Sequence, residues 1–332
     1  MNILKKSVVG LEIDSAEIRA VHIEGKAERP DALVFARMPL NEGIVQEGKV
    51  LDTYGLGAAL SAFWEKSNIK SRDVILGVNN QDVIVRFAEY PKVSEEKLDG
   101  IIRFQSQEYI PIPLDEVELD YSVIGETVNS EGTFFKVLLV AGKKKMLFDY
   151  IASLQAARLK ILDIGVSMLS VSRILPEEIR GLPVAVLNLT NDFVNIVIMN
   201  KNEPGIARTF NYPPDLAPHI KEITARDASY VSFGKGADVM DEICDLLAGE
   251  IHSSVIYYNN QNPDAVFNNI ILTGSLAKVK YISEKLMDLT ETNVKTVFPS
   301  DLGINLSRLG AGLWSAADFT ICASLAIRGL EV

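Results

Sequence analysis

Lysine and arginine are in short supply. The chain has 332 residues and holds 33 of them against 44 aspartates and glutamates, a net charge of −11. No basic stripe runs along the sequence, and nucleic-acid binding depends on neutralising phosphates, so that class of partner is set aside. Cysteine is scarcer still. Cys244 and Cys322 are the two present, with neither metal-ligand spacing nor a disulfide framework, and a reducing compartment suits them. His22, His219 and His252 are too scattered for a metal site. No run approaches the ~20 apolar residues a membrane-spanning helix needs, and the polar start Met1–Lys6 is too short for a signal peptide. Membrane attachment would therefore go through a partner, without direct insertion. The Gly-x-x-x-x-Gly-Lys-Ser/Thr and Gly-x-Ser-x-Gly motifs are missing too, which removes P-loop and nucleophile-elbow chemistry.

What remains is an ordinary globular composition, 48% hydrophobic, with clear periodicities. Strands are expected at Ser7–Ile13, Ile18–Ile23, Ala32–Met38 and Val74–Asn79, with a helix at Thr53–Ser67 carrying Leu56, Leu60 and Phe63 on one side. A different unit follows over 83–160 in βαββα order: strands at Val83–Glu89, Leu119–Ile124 and Phe134–Val140, and helices from Ser94 to about Tyr109 and over Met146–Ala157. Ser94 is placed as the N-cap, and Pro111 ends that helix. The chain rejoins the first domain over Ile161–Ile174. The strand–turn–strand opening at Val8 recurs at Val184, which points to an internal duplication. The second domain, 183–332, holds a helical region near 213–265, clearest over Gly234–Tyr258, a buried strand Asn269–Thr273, and an Ala/Leu-rich tail helix over Gly310–Arg328.

Duplicated α/β halves that each open with a β-hairpin resemble the actin, Hsp70 and sugar-kinase superfamily. Longer segments narrow the resemblance. Gln107–Val117 with Asp120-Tyr121, Val137–Lys143, Leu159–Asp163, Glu250-Ile251 with Ser254 and Tyr257-Tyr258, and Ala323–Leu330 are similar to blocks of the PilM family of type IV pilus assembly proteins. The resemblance spans the chain. It implies an actin-like, FtsA/PilM-like fold: duplicated ribonuclease-H-like halves with a small βαββα subdomain inserted in the first. It also implies a cytoplasmic scaffold held at the inner membrane by the N-terminal tail of a PilN-like membrane protein. That tail would lie in a groove between the first domain and the inserted subdomain. Self-association into a ring and contacts with pilus motor or platform proteins come with the resemblance. A GspL-type secretion platform domain, an ATPase or sugar kinase, and a filament-forming protein are the alternatives within the superfamily.

Nucleotide-site positions in this superfamily are altered here. Phosphate turns commonly read Asp-x-Gly-Ser/Thr, so that a carboxylate orders Mg²⁺ and backbone N–H groups reach the phosphate. The first turn, after Gly10, reads Glu12-Ile13-Asp14-Ser15, with Glu12 and Asp14 on one strand face and extra negative charge where phosphate would sit. The second is expected at Asn188-Leu189-Thr190, without acid or glycine. The adenosine-side motif persists in part as Gly274-Ser275. No cofactor is expected, ATP being a doubtful ligand, and the turns also read as plain β-turns holding the fold. For the partner groove, Phe104, Gln105, Glu108, Tyr109, Ile110 and Pro111 are the candidates, because Gln105 interrupts the apolar stripe Leu98-Ile101-Ile102-Tyr109.

Overall fold

The computed structural model describes residues 6–173, 175–225, 235–309 and 316–331. The chain divides into two compact units, 1–80 with 151–332 and, inserted, 81–150. The sequence reading set the insert at 83–160; the division falls earlier, within the helix that leads out of it.

The larger unit opens with β1 (Ser7–Ile13), β2 (Glu17–Lys26) and β3 (Arg29–Pro39), a small ribbon of β4 (Val45–Gln46) and β5 (Lys49–Val50), α1 (Thr53–Ser67) and β6 (Asp73–Val78). The insert follows with β7 (Val83–Pro91), α2 (Glu95–Gln105), β8 (Val117–Asn129) and β9 (Gly132–Lys143). Then α3 (Lys144–Ala156) leads to β10 (Lys160–Val166). The second half runs β11 (Val184–Leu189), β12 (Phe193–Asn200), β13 (Glu203–Asn211), α4 (Ala217–Ala225), α5 (Lys235–Asn259), β14 (Asn269–Thr273), α6 (Lys280–Thr290), β15 (Asn293–Thr296) and α7 (Thr320–Glu331). The expected helix starts at Gly234 and Gly310 lie outside the described residues, but within them the tail helix begins later than expected, at Thr320, after a 3-10 turn over Ala317–Phe319.

The duplication is visible in the sheets. Sheet order is β10-β6-β1-β2-β3 in the first half and β15-β14-β11-β12-β13 in the second. In each, the opening hairpin is antiparallel and the two following strands are parallel to the first. Even the irregularities correspond: β2 slips against β3 at His22/Ile23, and β12 slips against β13 at Ile198/Met199. Those positions match when β1 is laid on β11. β11 is buried along its whole length and β12 in all but its last residue, as expected of strands covered on both faces.

Gly10 binds the end of the chain to its beginning. A Cβ there would sit 1.9 Å from the carbonyl oxygen of Cys322 and 2.7 Å from the nitrogen of Ala326. Thus α7, lined by Cys322, Ala323 and Ala326, lies directly on the first sheet with Val21, Ile23 and Phe35. Gly10 was expected near phosphate; its role here is helix–strand contact.

In the insert, a three-stranded sheet of order β7-β9-β8 packs Ala88, Tyr90, Val137 and Leu139 against Leu98 and Ile102 of α2. That helix ends earlier than the sequence reading had it, at Gln105, and a 3-10 turn covers Ser106–Glu108. Ser94 does occupy the N-cap with extended backbone, but its hydroxyl makes no capping bond. The first turn is closed through its carbonyl, which accepts from Leu98 N at 3.1 Å.

The junction of the two halves as a candidate functional site

Each half presents its first hairpin turn to the other. The first turn, Asp14–Ala16, closes with Asp14 N donating to Glu17 O at 3.1 Å, and Asp14 Oδ1 accepting from Ala16 N at 2.9 Å and Glu17 N at 3.0 Å. The second is Thr190–Asp192, later than expected, since Asn188 and Leu189 belong to β11. Thr190 N donates to Phe193 O at 3.1 Å, and Thr190 Oγ1 accepts from Asp192 N at 3.3 Å and Phe193 N at 3.1 Å. These are the same side-chain-capped turn made once with Asp and once with Thr, both residue types that favour it.

Side chains then cross the junction in both directions. Ser15 N donates to Asp192 Oδ2 at 2.9 Å, and Ser15 Oγ donates to Asp192 Oδ1. Asn191 Nδ2 donates to Asp14 Oδ2 at 2.9 Å, and Asn191 Oδ1 accepts from Thr224 Oγ1 at 2.5 Å. Arg19, buried on β2, reaches Asp14 Oδ2 at 3.1 Å, Glu17 Oε1 at 3.0 Å and Ser275 Oγ at 2.6 Å. The equivalent residue of the second half, Asn195 on β12, reaches back to Asn79, which is the equivalent of Ser275. Asn195 Nδ2 donates to Asn79 Oδ1 at 2.8 Å, and Asn79 Nδ2 donates to Asn195 Oδ1 at 2.5 Å. The latch is thus pseudo-symmetric, charged on one side and neutral on the other.

Two expectations change. Asp14 does not leave free negative charge on the strand face, because its carboxylate is consumed by its own turn, Asn191 and Arg19. Glu12 is buried against α7, where Cys322 Sγ lies 3.5 Å from Oε2. Of the other nucleotide-site candidates, Asn188 Nδ2 donates to Asn195 Oδ1 at 3.2 Å and Ser275 receives Arg19. Gly274 has φ +93°, and a Cβ there would meet Asn188 Oδ1 and Leu189 O at 2.6 Å each, so the position requires glycine. The junction therefore assembles Asp14, Ser15, Asn188, Thr190, Gly274 and Ser275, while Gly10 and Glu12 face α7. Sequence reasoning missed Arg19, Asn79, Asn191, Asp192, Asn195 and Thr224. Laying the two turns on one another would have singled out Asn191 and Asp192.

The partner-tail candidates lie on the insert. Phe104 is 84% exposed. Gln105 and Tyr109 are half-buried, and Glu108 and Pro111 are exposed. Tyr109 lies 6.1 Å from the Tyr90 ring. Ile110 is core, with Ile84, Val117 and Ala141. Gln105 closes α2 rather than interrupting its stripe.

Burial raises the pKa of Glu12, with Arg19 opposing it, and burial followed by the charge of Asp14 raises that of Asp192. A carboxyl whose pKa is higher folded than unfolded favours the folded state in full below the ordinary range near ~4, and that contribution is lost as pH rises through the folded value. Glu12→Gln, neutral at every pH, should therefore have a higher Tm than the parent at about pH 8, with the gap closing as pH falls toward about 4. A gap that stays constant over a calorimetric pH series contradicts the assignment. Arg19→Met should cost about 3 kcal/mol or more in urea unfolding, because it strands Asp14 and Glu17 in a buried setting. A loss of under ~1 kcal/mol, the worth of an exposed pair, would show that the latch contributes nothing special.

The sequence profile of the family described as type IV pilus assembly protein PilM matches residues 10–328. Among solved structures, the chain is similar to one described as the PilM-PilN type IV pilus biogenesis complex, with TM-score 0.82, 21% identity, and 98% of this chain and 99% of that chain covered. It is also similar to the ethanolamine utilization protein EutJ from Carboxydothermus hydrogenoformans, with TM-score 0.55, 10% identity, and 97% and 89% covered. A third likeness is to diol dehydratase-reactivating factor in nucleotide-free form, with TM-score 0.52, 8% identity, and 98% and 100% covered. The fold is the actin-like one, and with its family profile matched almost from end to end, this chain belongs to the PilM family of type IV pilus assembly proteins.

Proposed function

We propose that this protein is a non-hydrolysing scaffold of the pilus assembly platform. It works on the cytoplasmic side of the inner membrane by holding the extended N-terminal tail of a PilN-like membrane protein. The family assignment carries this reading, and the structural relative described as a PilM-PilN complex supports it. Membrane recruitment through a partner is consistent with the helices, since among the described residues none is long and apolar enough to cross a bilayer.

The part of the tail site that lies on the insert centres on Phe104. A phenylalanine 84% exposed at the end of α2 is an apolar anchor without cover in the free chain. Half-buried Gln105 and Tyr109 and exposed Glu108 and Pro111 flank it, and Ile110 fixes the segment to the core. An extended tail draws affinity from backbone hydrogen bonds, for which the Gln105 amide is suited, and selectivity from pockets beside aromatic side chains. Phe104→Ala and Tyr109→Ala should each weaken binding of a PilN-like tail peptide by about 2 kcal/mol if they are hot spots. Gln105→Leu should weaken it with folding intact. If all three variants fold and bind such a peptide as the parent does, by calorimetry, the tail lies elsewhere.

We also infer that ATP is neither bound tightly nor turned over. The motive is the chemistry of the first turn. Its N–H groups at Ser15, Ala16 and Glu17, donors of the kind that cradle phosphate, already donate to the carboxylates of Asp192 and Asp14. A nucleotide would have to displace two anions and break bonds that join the halves. Titration with a fluorescent ATP analogue should give no saturable signal, and Mg²⁺-dependent phosphate release should match a protein-free control. Turnover above that control sinks the inference.

A further inference from the structure

The sheet end opposite the latch carries a feature that the function above does not use. Here α1 and α3 both terminate, each in a left-handed residue, Asn68 with φ 54° and Arg158 with φ 57°. Between the two ends lies an open pocket of about 500 Å³ lined by Trp64, Ile69 and Ala157 together with Lys70, Arg72 and Arg158. The three cations are exposed. Lys70 donates to Asn68 Oδ1 and Arg72 to Ala157 O at 3.4 Å. None of the three makes an ion pair among the described residues. Glu65 is the one carboxylate on the lining. Exposed Lys6, Lys66 and Lys160 surround the same end, and Lys160 is 3.5 Å from Asp73.

The ordinary reading of such cations is that they complement the negative ends of two helices. That reading accounts for the amide and carbonyl that Lys70 and Arg72 touch. It leaves the Arg158 guanidinium and the remaining donors of Arg72 unpaired beside an apolar floor, in a chain that is strongly acidic overall. The helix carbonyls would repel an anion from the deepest part, which leaves the outer rim beside the two arginines as the place to hold one. Their planar forks suit a tetrahedral oxyanion, which each can hold bidentately. The volume exceeds that of a bare phosphate and leaves space over Trp64 and Ala157 for an organic substituent.

We propose that this pocket binds a phosphate ester through Arg72, Arg158 and Lys70. The ester is either a soluble metabolite or the headgroup of an anionic lipid, and the test separates the two. The full chain with Trp314→Phe, leaving Trp64 as its sole tryptophan, is titrated with inorganic pyrophosphate and followed by Trp64 fluorescence and calorimetry. It is also sedimented with phosphatidylglycerol vesicles and with phosphatidylcholine vesicles. The expected result is a saturable response to pyrophosphate that Arg72→Gln with Arg158→Gln weakens by roughly tenfold per arginine, with unchanged circular dichroism. If phosphatidylglycerol vesicles also bind and pyrophosphate releases them, the ester is a lipid headgroup. If pyrophosphate saturates and vesicles do not sediment the protein, it is a soluble compound. The proposal falls if neither probe binds, or if the double variant binds either probe as well as the parent.

Discussion

A carboxylate that accepts from backbone N–H groups at a hairpin turn does the work of a bound anion. At the junction of the two halves this happens twice, with Asp14 filling its own turn and Asp192 reaching Ser15 from the opposite half. The other features of the junction are consequences. Buried Asp14 needs a cation, and Arg19 supplies it. Arg19 in turn donates to Glu17 and Ser275, while its Nε is buried without a partner. Asn191, held by Thr224, completes the shell of Asp14. Buried polar networks are stable only when nearly every member is satisfied, and apart from the Arg19 Nε this one is satisfied by side chains rather than by a ligand.

Duplication explains why the network closes. The two hairpins descend from one pattern, so each position on the first finds a counterpart on the second, and cross-junction bonds come in related pairs. The pairs then diverged. Arg19 with Ser275 is charged, and Asn195 with Asn79 is neutral. A symmetric charged version would bury two guanidinium groups in one interface, at a desolvation cost several kcal/mol higher.

Much of the fold could be read before the structure. The runs at Ser7–Ile13 and Val184–Leu189 are apolar and bounded by turn formers, and the helix at Thr53–Ser67 has a 3.6-residue stripe. The second turn was set two residues early because Asn188 is itself a turn former, whereas in the fold it pairs along β11. Arg19 reads as the solvent face of an alternating strand, because a sequence does not say that another half of the chain will cover that face. The basic pocket was illegible for a different reason: Lys70, Arg72 and Arg158 come from separate segments and form no stripe. The end of α2 moved because a 3-10 turn and a helical turn share the same apolar spacing over so short a stretch.

The latch also bears on force. Ser15 and Asp192 join the halves through two parallel hydrogen bonds, and Asn191 with Asp14 supplies another close by. Bonds arranged side by side share a shear load and fail together, whereas a single hinge contact yields alone. In the proposed setting, a scaffold tied to a membrane protein, the larger unit would act as a stiff strut. Work done on one half would reach the other with little lost to closing or opening between them.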